Sequence, residues 1–136
     1  QDETKPYDGI AEMLDALRDN GYKMAIVSNK GDEAVKQLAA RFFSPWIKIA
    51  VGERKDIRRK PNPDAVLQAI KQLGSNIEES IYVGDSEVDI ATAKNAGIPC
   101  VACLWGFRDE QFLRENGATR LIKAPKELLS AVQKQE

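Results

Sequence analysis

The 136-residue sequence contains no histidine, which removes several common catalytic designs at once. Hydrolases that use a histidine base are excluded, and so are the usual zinc sites. An excess of charge is also lacking, because 20 basic and 21 acidic residues leave a formal net charge of -1. This balance gives no reason to expect nucleic acid or an anionic membrane as a partner. The sequence has no apolar run of membrane-spanning length and no signal segment at its start, so we expect no membrane association.

Cysteine is scarce, and its two copies, Cys100 and Cys103, form a C-x-x-C pattern. A redox pair with this spacing requires a helix N-terminus, but here it lies inside an apolar stretch that we predict to be a strand. Residues three apart on a strand point to opposite faces, which disfavours a disulfide or a shared metal. We interpret both as buried, unreactive strand residues, and we expect a reducing cytoplasm.

Apolar runs alternate with amphipathic segments along the whole chain. Runs rich in β-branched residues predict strands at residues 22–27, 46–52, 81–84, 98–104 and 120–123. Apolar residues at helical spacing predict helices at residues 7–19, 32–43, 63–74, 87–95, 108–116 and 125–134. This alternation indicates crossover units, and therefore a parallel sheet of about five strands with helices on both faces. We predict a single three-layer α/β/α domain over residues 1–136.

The stretch Ile81-Tyr-Val-Gly-Asp-Ser-Glu-Val-Asp-Ile90 places two carboxylates at the end of a predicted strand. Asp85 follows the strand directly, and Asp89 falls in the first turn of the next helix, close enough to share a cation with Asp85. Ligands of open α/β sheets bind beyond the carboxyl ends of the strands. The pattern favours a magnesium site, although acids at a helix N-terminus are also explained by the helix dipole alone.

Two further polar residues follow predicted strands and are expected at the same edge of the sheet. Ser28 ends the strand at 22–27, and Lys60 closes the charged loop after the strand at 46–52. A hydroxyl, an ammonium and a cation held by carboxylates together suit a phosphoryl group. Taken singly, Ser28 is a common turn residue and Lys60 a solvated loop charge. The basic run 54–60 also permits a nucleic-acid patch, but it has no interleaved aromatic residues.

These motifs resemble those of the haloacid dehalogenase-like phosphohydrolases, particularly the phosphoglycolate phosphatase-like branch. Ile26-Val-Ser-Asn-Lys30 is similar to the second family motif, Lys60-Pro-Asn-Pro63 to the third, and Val83-Gly-Asp-Ser-Glu-Val-Asp89 to the fourth. The resemblance implies a Rossmann-like fold, with Ser28 and Asn29 binding phosphate and Lys60 stabilising its charge. It also implies Asp85 as a Mg²⁺ ligand, with Asp89 as a ligand or as support for one.

The family's first motif, a D-x-D on an early strand, is absent from these 136 residues. The resemblance implies that this strand is the central one of the sheet and that a cap domain usually follows it. We therefore expect a core domain without its nucleophile strand and cap, and inactive alone. Its sheet gap should close by direct pairing of the strands carrying Ser28 and Asp85, or through a homodimer.

The resemblance implies a Mg²⁺-dependent phosphate-monoester hydrolase that acts through an aspartyl-phosphate in the intact enzyme. The expected partner is a small phosphorylated metabolite, 2-phosphoglycolate or similar. Two other readings remain open. One is a phosphoacceptor switch domain. In such a domain the acidic residues come first in the chain and the lysine last, whereas here Lys60 precedes Asp85 and Asp89. The other is a non-catalytic binding module derived from a hydrolase.

Overall fold

Six α-helices and five β-strands alternate in the computed structural model, which describes residues 9–106 and 108–133. The helices are α1 (Ile10–Asp19), α2 (Asp32–Phe42), α3 (Asp64–Leu73), α4 (Glu87–Ala96), α5 (Glu110–Glu115) and α6 (Leu128–Gln133). The strands are β1 (Ala25–Gly31), β2 (Ile49–Glu53), β3 (Tyr82–Gly84), β4 (Cys100–Cys103) and β5 (Leu121–Ile122). Short 3-10 turns lie at Ile77–Glu79 and Pro125–Glu127. The predicted order of strands and helices is confirmed.

Several boundaries differ from the predicted ones, and long-range pairing explains the largest difference. β1 begins three residues late and continues through Gly31, because its parallel ladder with β2 resumes at the pair Gly31–Glu53 after an irregularity. β2 begins at Ile49 because the end of α2 is followed by a turn, in which the Trp46 N–H donates to the carbonyl of Phe43. Residues 7, 8 and 134, assigned to the first and last predicted helices, lie outside the described residues.

Helices cover both faces of the strands, which confirms the three-layer prediction. On one face, α3 packs on β1 and β2 while α4 and α5 pack on β3 and β4. On the opposite face, α2 covers β1 and β2, and α1 and α6 cover β4 and β5. β4 shows the alternation: Val101 and Cys103 face α6, whereas Ala102 faces α5. Strands buried on both sides are typical of parallel sheets.

The strands form two parallel sheets rather than one continuous sheet. β1 pairs with β2, and β3, β4 and β5 pair in that order. Within the described residues no ladder joins β1 to β3, so the expected direct pairing of the strands that carry Ser28 and Asp85 is wrong. α3 packs from one face against both strands, contacting Val27 of β1 and Tyr82 of β3, while the facing edges of the two strands stay apart.

A slot of about 560 Å³ separates β1 from β3. Residues 22–27 form one wall and residues 81–83 the other. α3 closes one face with Val66, Ala69, Ile70 and Leu73, and Leu17, Leu128 and Val132 close the opposite face. Apolar side chains therefore cover the slot on both faces of the strands, and the edges of β1 and β3 form its two sides.

α3 and α4 join the two sheets across this slot. Val66 and Ile70 of α3 pack with Ala93 and Ala96 of α4 in one buried cluster, which also takes in Val27 and Tyr82 from the two facing strands. The amide of Asn95 on α4 donates to the carbonyl of Pro61, just before α3 (2.8 Å). Among the described residues, no helix is both long and apolar enough to cross a membrane.

Cys100 and Cys103 are both free thiols and point to opposite faces of β4, as predicted. Burial raises the pKa of each thiol to about 12, with nearby carboxylates adding to the effect. At neutral pH each thiol is therefore almost entirely protonated, and it is the thiolate that reacts.

We predict that neither cysteine reacts readily with a thiol reagent in the folded chain. At pH 8 the labelling of both should be at least about tenfold slower than in the same chain in denaturant, because a pKa raised from its ordinary value lowers the thiolate fraction. Mass spectrometry of iodoacetamide-treated protein at successive times measures this. Rapid single labelling of Cys103 in the native chain would contradict the packing of β4.

Candidate active site

The polar residues singled out in the sequence gather at the carboxyl ends of β1 and β3. Ser28 and Asn29 lie in the second half of β1, Asp85 follows β3 directly, and Asp89 lies in the first turn of α4. Lys60 belongs to the loop between β2 and α3. The backbone N–H of Lys60 donates to the side-chain oxygen of Asn29 (2.9 Å), which fixes the loop to the end of β1. Hydrogen bonds therefore connect Asn29, Lys60, Asp89 and Asp85 along one rim, and Ser28 directly precedes Asn29 in β1.

A largely buried ion pair between Lys60 and Asp89 lies at the centre of this rim. The Lys60 Nζ donates to Asp89 Oδ1 over 2.8 Å, and the two side chains are only 14% and 9% exposed. A buried charge of either sign is costly without a partner, so each of these groups depends on the other. The pair thus holds a lysine at the mouth of the slot, linking the loop before α3 to the start of α4.

Asp89 is saturated with hydrogen-bond donors. Its Oδ1 accepts from Lys60 and from the Tyr82 hydroxyl (3.0 Å), and its Oδ2 accepts from the backbone N–H of Asp85 (3.0 Å) and the Ser86 hydroxyl (3.1 Å). Burial alone would raise the pKa of Asp89. The hydrogen bond and charge of Lys60, with the other donors, more than offset this and hold that pKa below its ordinary value. Asp89 is therefore an anion whose lone pairs are all engaged by the protein.

Asp85 has the opposite character, since it is exposed. Within the described residues its carboxylate accepts no hydrogen bond, while its backbone N–H orients Asp89. Two glycines make room for these acids: a Cβ on Gly106 would overlap the Asp85 carboxylate, and a Cβ on Gly84 would overlap Asp89. Asp85 thus presents free oxygen atoms at the rim, a donor set that suits a hard cation.

Ser28 and Asn29 present hydrogen-bond donors. The Ser28 Oγ accepts from the backbone N–H of Lys30 (3.1 Å), which leaves its own O–H as a donor. The Asn29 oxygen is engaged by the Lys60 N–H, so its NH₂ group is the free end of that amide. Both donors lie on the β1 side of the rim, opposite Asp85.

The basic loop before Lys60 is neutralised by local acids. Arg54 pairs with Asp56, Arg59 with Glu53 and Arg58 with Asp64. The Arg58 guanidinium and N–H hydrogen bonds also lower the pKa of Asp64. These pairs stabilise the loop that positions Lys60, and its arginines are engaged at the end of β2, within the loop and at the start of α3.

Two residues of the network were missed by the sequence analysis, namely Tyr82 and Ser86. Tyr82 falls in the predicted strand 81–84 and was given no polar role, yet its hydroxyl contacts both Lys60 and Asp89. A tyrosine in such a strand is itself a signal, because a buried hydroxyl needs a polar partner. Ser86 caps α4 by accepting from the Asp89 N–H, and the S-x-x-D spacing is typical of a helix start.

Comparisons with known proteins agree with this geometry. A family model described as haloacid dehalogenase-like hydrolase matches residues 1–103. The phosphoglycolate phosphatase of Aquifex aeolicus is 37% identical over 105 residues, covering 76% of this chain and 49% of that protein. The pyrophosphatase PpaX of Halalkalibacterium halodurans is 32% identical over 129 residues, covering 94% of this chain and 60% of that protein.

Among solved structures, one from Lactobacillus delbrueckii subsp. bulgaricus, provisionally named a phosphoglycolate phosphatase, superposes with a TM-score of 0.91. It is 41% identical, and the match covers 94% of this chain and 54% of that one. The chain thus spans about half the length of the curated relatives that it matches.

We predict that Gly84→Ala will destabilise the chain by roughly 1–3 kcal/mol, the usual cost of overpacking a dense site. The added methyl group would overlap Asp89, which cannot move freely because four donors hold it. Gly31→Ala is the matched control, since nothing lies within 4 Å of its Cβ position and its φ of -55° suits alanine. Urea unfolding curves measure the stability of both variants. A midpoint for Gly84→Ala equal to that of the unaltered chain would refute the close approach of Gly84 to Asp89.

Proposed function

The chain belongs to the haloacid dehalogenase-like hydrolases, and from that premise we propose that it carries the phosphate- and metal-binding half of a Mg²⁺-dependent phosphate-monoester hydrolase. The supporting observation is the buried Lys60–Asp89 pair, at a rim that also presents the Ser28 hydroxyl and the exposed Asp85 carboxylate. A phosphoryl dianion requires positive charge, hydrogen-bond donors and a divalent cation in one place.

Each residue of the rim has a distinct proposed role toward the phosphoryl group. Lys60 offsets negative charge on its oxygens, and the buried pair with Asp89 keeps the ammonium in place. The Ser28 O–H donates to one phosphoryl oxygen, and the Asn29 NH₂ group donates to the same side of the substrate. These groups bind and orient, and none of them needs to act as a general base.

Asp85 is the proposed ligand for Mg²⁺. This ion commonly binds through one or two carboxylates, with water and substrate oxygens completing its octahedron. The described residues contain no group of three or more His, Cys, Asp or Glu side chains that could hold a metal ion, so the proposed site uses Asp85 with oxygen ligands from water and substrate. Bound Mg²⁺ would offset charge on the transferring oxygens. Asp89, whose oxygens already accept four hydrogen bonds, is assigned to the support of Lys60 and Asp85.

The nucleophile is proposed to come from outside these 136 residues, since they contain no D-x-D. In the whole protein, the carboxylate of an aspartate would attack phosphorus and release the substrate alcohol, and water would then hydrolyse the acyl phosphate. The slot between β1 and β3 is the proposed place for the strand that carries this aspartate. Apolar side chains cover both faces of the slot, and within the described residues a strand edge without a ladder partner lies on each side of it. Its volume of about 560 Å³ suits one extended segment.

The proposed substrate is a small phosphorylated acid or sugar, with 2-phosphoglycolate first among the candidates. The name of the Aquifex aeolicus relative supports this choice. The name of the PpaX relative makes pyrophosphate the second candidate substrate. The proposed site of action is a reducing cytoplasm, where free thiols such as Cys100 and Cys103 persist.

The decisive assay is phosphate release from 2-phosphoglycolate, pyrophosphate and an aryl phosphate, with Mg²⁺ or with chelator. We expect no turnover by this chain alone, and Mg²⁺-dependent turnover by the longest open reading frame that contains it. Asp85→Asn in that frame should lower kcat/KM by roughly a hundredfold or more, as loss of charge stabilisation does elsewhere.

Two outcomes would overturn the proposal. Turnover by this chain alone that requires both Mg²⁺ and Asp85 would mean that one of its own carboxylates is the nucleophile. The absence of turnover in both forms would favour a non-catalytic binding module. Gln111→Ala, an exposed change on α5 away from the rim, is the control for effects of substitution and purification that do not involve the site.

Hydrogen exchange tests the assignment of the slot. In the longer reading frame, amides of residues 25–28 and 82–84 that face the slot should exchange at least about tenfold more slowly than in this chain alone, because a new strand would pair with them. β4 is the internal control, since it is already paired on both sides and should be protected in both forms. Equal exchange in both forms would contradict strand insertion, and protection that rises with the concentration of this chain alone would indicate the homodimer instead.

A further inference from the structure

We propose that Tyr82 is a positioning residue that fixes the direction of the Lys60 ammonium. The inference rests on the proposed function for its catalytic consequence, but its structural content concerns three side chains of this chain alone. Tyr82 lies in the stretch 81–90 described above, but the sequence analysis gave it no polar role. Its hydroxyl reaches the buried ion pair from the strand below the rim.

The three groups form a closed triangle of hydrogen bonds. Lys60 Nζ donates to Asp89 Oδ1 over 2.8 Å and to the Tyr82 hydroxyl over 3.0 Å, and that hydroxyl donates to the same Asp89 oxygen over 3.0 Å. An ammonium has three N–H donors in tetrahedral directions. Once two of them are bound to fixed acceptors, the group cannot rotate, and the direction of the third is set. The third N–H is thus the one available to a phosphoryl oxygen.

Tyr82 is suited to fix a lysine because its own position is rigid. Lysine carries a charge on a flexible four-carbon stem, whereas the tyrosine ring has two side-chain torsions. The ring lies in β3 and packs in the cluster formed by α3 and α4. The Lys60 Nζ lies 5.6 Å from the ring centroid, so the ring as well as the hydroxyl contacts the ammonium.

The hydroxyl keeps its proton under ordinary conditions. Burial, followed by the adjacent negative charge of Asp89, raises the pKa of Tyr82 far above its usual value. Tyr82 therefore remains both a donor to Asp89 and an acceptor from Lys60. Without the hydroxyl, Lys60 would retain its bond to Asp89 but could rotate about it, and Asp89 Oδ1 would lose one of its two donors.

The alternative is that Tyr82 only fills space beneath α3 and α4. Tyr82→Phe separates the two roles, because it keeps the ring and removes the hydroxyl. Tyr82→Met also removes the hydroxyl while refilling the volume with an adaptable apolar chain, and it serves if the Phe variant does not fold. Thr92→Val is the matched control: this hydroxyl is fully buried nearby but donates to the Val88 carbonyl within α4 rather than to the triangle.

The first test uses this chain alone and requires no turnover. Ammonium ¹⁵N–¹H NMR at mildly acidic pH and low temperature reports how fast lysine protons exchange with water, and Lys60→Arg assigns the Lys60 signal. We expect Tyr82→Phe to accelerate the exchange of the Lys60 ammonium protons with water roughly fivefold. A ratio of this size corresponds to the free energy of one ordinary hydrogen bond. Thr92→Val should leave it unchanged. An unaltered Lys60 signal in folded Tyr82→Phe would overturn the proposal.

The second test measures catalysis in the longest reading frame that contains this chain. Tyr82→Phe should lower kcat about tenfold and leave KM within about twofold, because a misdirected lysine loses contact mainly with charge that develops in the transition state. An unchanged kcat would overturn the positioning role even where the NMR signal moves. If no form of the protein turns over substrate, the proposed function fails, and the NMR result still decides whether Tyr82 orients Lys60.

Discussion

The ion pair between Lys60 and Asp89 is the interaction on which the rest of the rim depends. Two charges with little access to water are stable there only because each neutralises the other and because Tyr82, Ser86 and the Asp85 N–H complete the shell of Asp89. The pair also has a structural effect, since it joins a loop that follows one sheet to a helix that follows the other. The same contact therefore fixes the charges of the rim and, together with the packing of α3 on α4, links the two sheets.

The contrast between the two acids shows how one short segment can serve two purposes. Asp85 and Asp89 are four residues apart on a strand-to-helix turn, yet the first is exposed and the second is buried and saturated with donors. Gly84 and Gly106 allow this, because each leaves space that a side chain would fill. The charge of Asp89 is neutralised inside the protein, whereas the carboxylate of Asp85 stays exposed at the rim.

Much of this arrangement could be predicted from the sequence, because strand and helix periodicities are local and the carboxyl ends of parallel strands share one edge. That reasoning located Ser28, Lys60, Asp85 and Asp89, and the resemblance to a known family added Asn29. It did not find the role of Tyr82, since an apolar pattern reveals which face is buried but not what a hydroxyl meets there. It also ended β1 too early, because the pairing of Gly31 with Glu53 depends on a distant segment.

The separation of the two sheets has a consequence for how the molecule assembles. The strands of the first sheet and the helix between them come from residues 25–53, and those of the second come from residues 82–122. Each sheet is thus made from one contiguous stretch, so pairing within a sheet closes a shorter loop than contact between the two sheets does. α3 follows the first stretch in the chain, packs on β1 and β2 and shares a buried cluster with α4, so among the described residues the two sheets meet through helix packing rather than through a common ladder.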